Sequence, residues 1–281
     1  MRAIDPRPLI ATLLTAVLAL GLTISAAQAA EREKIEAFLE VTGFDVALES
    51  IRLGADNAPA MLGVEAEDFG AQWKSLVAEV FDTELMHGFA LDILEPTLSE
   101  DLLTHAADFY ASDLGQRLVL VENASHMKED DDAKREAGEA IIAGLESIDS
   151  PRLALLRRLN DASGSEDATI RAIQEVQVRF LMAAASAGVI ELRMEESDLR
   201  EALRSDEPQM RTRIRASALS NAAYTYQAFS DAEVTSYAEA LEHPKMKEVY
   251  ALLNAVQFEI TANRYEEVAA RLAGLQPSQD L

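Results

Sequence analysis

The chain has 281 residues, no cysteine, a formal net charge of −24 and 49% apolar residues. Without cysteine there is no thiol nucleophile, cysteine-ligated zinc or iron–sulfur cluster. The negative field repels phosphate backbones and anionic lipid surfaces, which argues against nucleic acid as a partner.

The first residues read as an address rather than as a fold element. Arg2 and Arg7 make a short positive start, Leu9 to Leu22 is almost wholly apolar, and Ala27-Gln28-Ala29 supplies the small residues that a signal peptidase requires. Residues 1–29 are expected to be an export signal cleaved after Ala29, giving a periplasmic or secreted protein with no membrane span. The apolar run is also long enough to serve as an uncleaved anchor. About 250 residues remain, enough to bury one large or two small cores without a disulfide.

Alanine, leucine and glutamate dominate, and no stretch alternates apolar and polar residues in the manner of a strand, so the fold class expected is all-α. Ile35, Phe38 and Leu39 mark a helix ending at Thr42-Gly43. A short helix through Val46, Leu48, Ile51 and Leu53 follows, then a turn or short irregular helix over Gly54 to Gly63, with Pro59 inside. A single long helix is expected from about Glu65 to Glu95, with Phe69, Trp73, Leu76, Val77, Val80 and Phe81 on one stripe and Pro96 at its end.

Ser99 and Ser112 then cap two helices that meet at Tyr110-Ala111-Ser112-Asp113-Leu114-Gly115. The second is expected to run on through the acidic stretch Lys128 to Glu139. Ile148-Asp149-Ser150-Pro151 is the best boundary in the chain, separating a first helical repeat at 30–149 from a second at 150–276, with a polar tail at 277–281. In the second half, helices are expected through Leu153 to Ser163, through Ile170 to Gly188, through Leu199, and from Pro208 to Tyr226. The last is expected from about Pro244 to Leu272.

An internal repeat supports the division. Sliding the chain by 131 residues places Ser99 on Ser230, Thr104 on Thr235, Ala107 on Ala238, Asn123 on Asn254 and Ala124 on Ala255. The apolar face Leu103, Ala106, Tyr110 falls on Val234, Tyr237, Leu241. Ser230 with Glu233 has the spacing of a capping box, and Pro244 suits a first helical position. Upstream, Phe38 to Gly43 echoes Leu159 to Gly164 at a different offset. Asn123 and Asn254, each among apolar neighbours in mid-helix, are expected to bond another element and fix its register.

Phe109-Tyr110-Ala111-Ser112-Asp113-Leu114-Gly115-Gln116-Arg117, preceded by Leu98-Ser99-Glu100-Asp101-Leu102, resembles the signature of a secreted bacterial helical family catalogued as domain of unknown function 2059. Asp113 stands where that family usually has proline; the second copy keeps Pro244 but has Ala240-Leu241, His243 and Met246 in place of Phe-Tyr, Ser and Gly. The resemblance implies a helical fold and export, and brings no catalytic residues.

Few residue sets suggest chemistry. Glu122, His126 and Asp130 lie at helical spacing and could share a divalent cation, although the same pattern is that of a solvated acidic face. The run Glu129 to Asp132 lacks the alternate spacing and glycine of a calcium loop. His105, Asp108 and Ser112 lie near the corner, but a capping serine has its oxygen occupied by backbone donors. Phe109 and Tyr110 read as core. No catalytic residues and no cofactor are therefore expected. The leading functional expectation is a non-enzymatic interaction or assembly factor that binds an envelope protein. The alternative is a carrier of an apolar or amphipathic small molecule in a groove between the halves, with Met182, Met194, Met210 and Met246 as adaptable apolar surface. A weak divalent-cation binder is third.

Overall fold

Helix boundaries fall where a side chain or a glycine can complete the free backbone groups of a helix end. In the computed structural model, which describes residues 31–63 and 69–275, α1 (31–42) stops as Thr42 turns its hydroxyl back onto the carbonyls of Phe38 and Leu39 (2.8 and 3.2 Å). Gly43 then takes a φ of +71°. The segment expected to be an export signal, residues 1–29, and the expected polar tail lie outside the described residues. α2 (Phe44–Ser50) ends short of the expected Leu53, and the chain winds on through two 3₁₀ segments, Ile51–Asn57 and Pro59–Leu62, the second within the irregular stretch expected around Pro59.

The helix expected over 65–95 is instead two, α3 (Gly70–Val80) and α4 (Thr83–Thr97), with residues 64–68 outside the described part. Asp82 is extended and its carboxylate accepts the Leu85 N–H at 2.9 Å, starting α4. Across the break, Arg264 donates to the Val80 carbonyl at 3.2 Å, completing the end of α3. Trp73, Leu76, Val77, Val80, Phe81 and Met86 are all buried across the break, so the apolar period continues where the helix does not.

α5 (Glu100–Tyr110) and α6 (Asp113–His126) form the expected corner. Ser99 accepts the Leu102 N–H at 3.4 Å and Ser112 the Gly115 N–H at 3.1 Å. Gly115 permits the turn, because a Cβ there would lie 2.3 Å from the Phe109 carbonyl oxygen. α6 does not run on into the acidic stretch: it ends at His126, and Asp130 caps α7 (Asp131–Ser147) by accepting the Ala133 N–H at 2.8 Å. Asp149 and Pro151 turn the chain into α8 (Arg152–Ser163), α9 (Glu166–Ser186), α10 (Glu196–Ser205) and α11 (Glu207–Thr225). Arg152 closes the end of α11 by donating to the carbonyls of Tyr226 and Phe229 (2.7 and 2.8 Å). α12 (Asp231–Glu242) begins with a complete Ser230–Glu233 capping box, and α13 (Pro244–Leu272) begins with proline. The described residues form helices and turns without a strand, so the fold is all-α.

α13 holds the layers together. Its 29 residues span about 44 Å at helical rise. It packs on α9, α8 and α12 of its own half and on α3, α4 and α5 of the other. One apolar core runs from Ile35 and Phe38 through Leu118 and Leu156 to Val268 and Leu272, so residues on both sides of Ser150 share it. Elsewhere α7 lies against α11, close enough that a Cβ on Gly138 would meet the Ser220 carbonyl oxygen at 2.2 Å. The two corners also meet each other: Arg117 pairs with Glu233 at 2.7 Å, Lys245 with Asp101 at 2.6 Å, and the His105 and His243 rings stack at 4.3 Å.

Candidate ligand cleft at the junction of the two halves

Leu114, Leu118 and Val121 put one face of α6 against the core, and Glu122 and Ser125 lie on the edge of that face. Glu122 is thereby carried inward, toward the end of α11 and the first turns of α12 and α13. There its Oε1 accepts the Tyr226 hydroxyl at 2.7 Å. Three more phenols converge: Tyr237 and Tyr250 hydroxyls are 2.8 Å apart, Tyr110 and Tyr237 hydroxyls 3.3 Å apart, and Tyr110 also bonds Tyr250. Four of the chain's six tyrosines thus meet beside one carboxylate. A phenol both donates and accepts, whereas an ionised carboxylate only accepts. Glu122 is therefore a sink for the donors in this cluster.

The electrostatics follow from burial. Loss of hydration pushes the Glu122 carboxyl up to about 6, opposed by the hydroxyls of Tyr226 and Tyr237, which favour the anion. Burial likewise raises Tyr110, Tyr226, Tyr237 and Tyr250, so all four remain neutral donors. Among the described residues Glu122 forms no ion pair with Lys, Arg or His.

An open cavity of about 350 Å³ lies here, lined by Glu122, Tyr226, Tyr237 and Tyr250 together with His126 and Lys134. Lys134 is engaged elsewhere, donating to the Ser125 carbonyl at 3.2 Å and lying 3.3 Å from the Asp131 carboxylate. Loss of hydration and the Lys134 charge lower His126, which favours its neutral form. At Ser163 this cavity adjoins two others, of about 550 and 690 Å³, that wrap the end of α8 and share Phe258 and Asn254. Ile214 and Leu219 line the larger one. The walls of these two neighbours are mixed: Ile214, Leu219 and Phe258 stand among Arg157, Asp161, Glu166, Arg171, Arg215 and Lys247.

Asn254 shapes these cavities by donating to the Ser163 carbonyl at 3.2 Å, which ties the end of α8 to α13 as expected. The side chain of Asn123, also expected to bond another element, forms no hydrogen bond among the described residues and lies against Gly43. A Cβ on Gly43 would lie 2.4 Å from Asn123 Oδ1, and one on Gly164 3.0 Å from Asn254 Nδ2. Each corner asparagine thus faces the glycine that ends an upstream helix of its own half.

The other sequence candidates take structural places. Ser99, Ser112 and Ser230 are caps, Glu233 closes the capping box, and Phe109 stacks on Tyr237 at 5.9 Å. Glu122, His126 and Asp130 do not converge: the helix that would have aligned them ends at His126, Asp130 caps the next, and Glu122 faces the phenols. Among the described residues no group of three His, Asp or Glu side chains could hold a metal ion. In the acidic run, Asp131 pairs with Lys134 and Asp132 with Arg135. The hydrolytic set also separates, since Ser112 is occupied by the Gly115 N–H and His105 stacks on His243. Of the four methionines expected to offer adaptable apolar surface, Met210 and Met246 are core, Met194 is exposed and Met182 lines a separate cavity beside α9 and α13, so none lines this cleft. Tyr226, Tyr237 and Tyr250 are the site residues that sequence reasoning missed. Each falls on an apolar face where tyrosine reads as core, and only the tertiary fold brings their hydroxyls together.

Residues 84–143 match the family described as "Uncharacterized protein conserved in bacteria (DUF2059)", the one that the first corner resembles. The matched stretch carries Tyr110 and Glu122, whereas Tyr226, Tyr237 and Tyr250 lie outside it. No curated protein and no solved structure matches the chain.

Proposed function

We propose that the protein is an exported, non-catalytic carrier of an amphipathic small molecule, held in the cleft at the junction of its two halves. The observation that carries this reading is the adjacency of the junction cavity, about 350 Å³ and bearing Glu122, to cavities of about 550 and 690 Å³ that share Ser163 with it and both bear Phe258. Small-molecule sites combine such volumes with mostly apolar walls and a few placed polar groups. Export is supported by the Arg2, Arg7, Leu9 to Leu22 and Ala27-Gln28-Ala29 pattern. A non-catalytic role is supported by the capping duty of Ser112 and the engagement of His105 with His243.

The halves are read as divergent copies of one unit. The paired Asn–Gly contacts support this, as do the reciprocal Arg117–Glu233 and Lys245–Asp101 bridges, in which the second helix of each corner reaches the first helix of the other. Such reciprocity is how two copies meet across a two-fold interface.

A second reading, an envelope interaction or assembly factor, is favoured by Leu120 and Ile148, which are 71% and 73% exposed. Single exposed apolar residues are ordinary on soluble proteins, so this reading ranks behind the cleft.

The test is native mass spectrometry of the protein released gently from its own periplasm. A reproducible added mass in the metabolite or lipid range is expected. Bare protein, together with a protein partner retained by cross-linking, would overturn the carrier in favour of the second reading.

A further inference from the structure

The charge of the junction cavity specifies more than its shape does. Its titratable lining comes from α6 (Glu122 and His126), α7 (Lys134), the end of α11 (Tyr226), α12 (Tyr237) and α13 (Tyr250), with Tyr110 of α5 bonded behind them. The phenols are neutral, His126 is biased toward neutrality, and the Lys134 ammonium is engaged by Asp131 and the Ser125 carbonyl. Glu122 is left as an inward carboxylate stabilised by hydroxyls and by no cation of the protein. Glu122 is half-buried, and a partly desolvated charge without a counter-charge carries a cost that hydrogen bonds offset only in part.

We infer that this end of the cleft recognises a protonated amine on the ligand, with the Glu122 carboxylate as its counter-ion and the hydroxyls of Tyr226, Tyr237 and Tyr250 as further acceptors. The inference rests on the carrier reading and adds the ligand's chemical class. An ammonium group would supply the missing counter-charge and bring N–H donors to a site rich in oxygen acceptors. An anion would meet Glu122 directly, and a neutral head would leave the carboxylate uncompensated. Phenol walls suit a cation as well, because the edge oxygens and π faces of tyrosine both carry negative potential. The net charge of −24 raises the concentration of cations around the whole molecule. The apolar body of the same ligand would extend toward Phe258, Leu219 and Ile214.

The test is isothermal titration of the whole exported protein with three probes of one shape: phenethylamine, phenethyl alcohol and hydrocinnamate. The amine is expected to bind most tightly. Glu122→Gln is expected to weaken the amine by about tenfold or more, and to weaken it far more than the alcohol. Tyr226→Phe, which keeps the carboxylate, is expected to retain the preference for amine over alcohol, and circular dichroism of both variants checks that they fold. Equal affinity of wild type for amine and alcohol, indifference of the amine to Glu122→Gln in a folded variant, or failure of the amine to bind wild type would each overturn the inference. The carrier reading falls with it only if the native protein also lacks an added mass. A native ligand without a basic nitrogen would refute the amine and keep the carrier.

Discussion

Glu122 shows how little of a side chain's chemistry is set by its neighbours in sequence. Beside His126 and the acidic run it reads as part of a solvated face, yet its place on α6 carries it against Tyr226 from more than a hundred positions away. Sequence spacing gives the helix face only to within an arc, and whether the edge of that arc is wet depends on what packs beside it. The consequence is measurable. Burial raises this carboxyl from 4.5 to about 6, so between those pH values the folded protein holds a proton that the unfolded chain has released. Stability contributed by Glu122 is therefore fully present below pH 4.5, declines as pH rises toward about 6, and is flat above. His126 and the four phenols share the site, so the effect is isolated by subtraction. The stability of wild type minus that of Glu122→Gln, from urea unfolding, should fall between pH 4.5 and 7. A difference that stays constant, or that rises, would mean the carboxyl is not buried in this way.

At the scale of elements, what could be read from the sequence was the punctuation. Ser99, Ser112, Ser230 and Pro244 start their helices where expected, because a cap needs only the residue and the N–H groups two or three positions on. The missed breaks, at Asp82 and Asp130, are caps too. Both were masked by a stronger pattern: an apolar stripe that crosses Phe81 unbroken, and an acidic stretch of good helix formers. Tertiary contacts tip these cases, as when Arg264 completes the end of α3 from the far end of the chain. The caps differ in completeness. Ser99 accepts one N–H at 3.4 Å, whereas Ser230 both accepts from the Glu233 N–H and has its own N–H held by the Glu233 carboxylate at 2.8 Å. Ser230→Ala should cost about 1 kcal/mol or slightly more in chemical denaturation, and Ser99→Ala less than that. Hydrogen bonding to Ser230 and pairing with Arg117 hold the Glu233 carboxyl down at about 2, so its share of stability is present above pH 4.5 and is lost as pH falls toward 2. Equal costs for the two serines at neutral pH would remove the case for the capping box.

For the molecule as a whole, composition and periodicity were enough to give an all-helical chain and the extent of α13, but not how its two halves are joined. Both halves read as self-sufficient in length. The structure instead drives α13 across α3, α4 and α5, so that core positions as distant as Phe38 and Val268 belong to one body. The cleft was illegible for the same reason: Glu122 comes from one half and Tyr226, Tyr237 and Tyr250 from the other, and neither set signals alone. A shared core predicts cooperative unfolding. Trp73, the single tryptophan and 2% exposed, reports on the surroundings of α3, while far-UV circular dichroism reports on every helix. Their denaturation curves should superimpose; a tryptophan transition that precedes or follows the loss of helix would show two separately stable units. The junction that makes the core single also leaves the acid-and-phenol cavity open to solvent.

Crystals of the protein soaked in para-bromophenethylamine and measured at the bromine absorption edge test this account most directly. It predicts one dominant anomalous peak in the trough beside Phe258 and Asn254, with the amine directed to Glu122 and its tyrosines, and loss of that peak in crystals of Glu122→Gln. A peak elsewhere on the surface, or one in the trough that Glu122→Gln leaves unchanged, would contradict it.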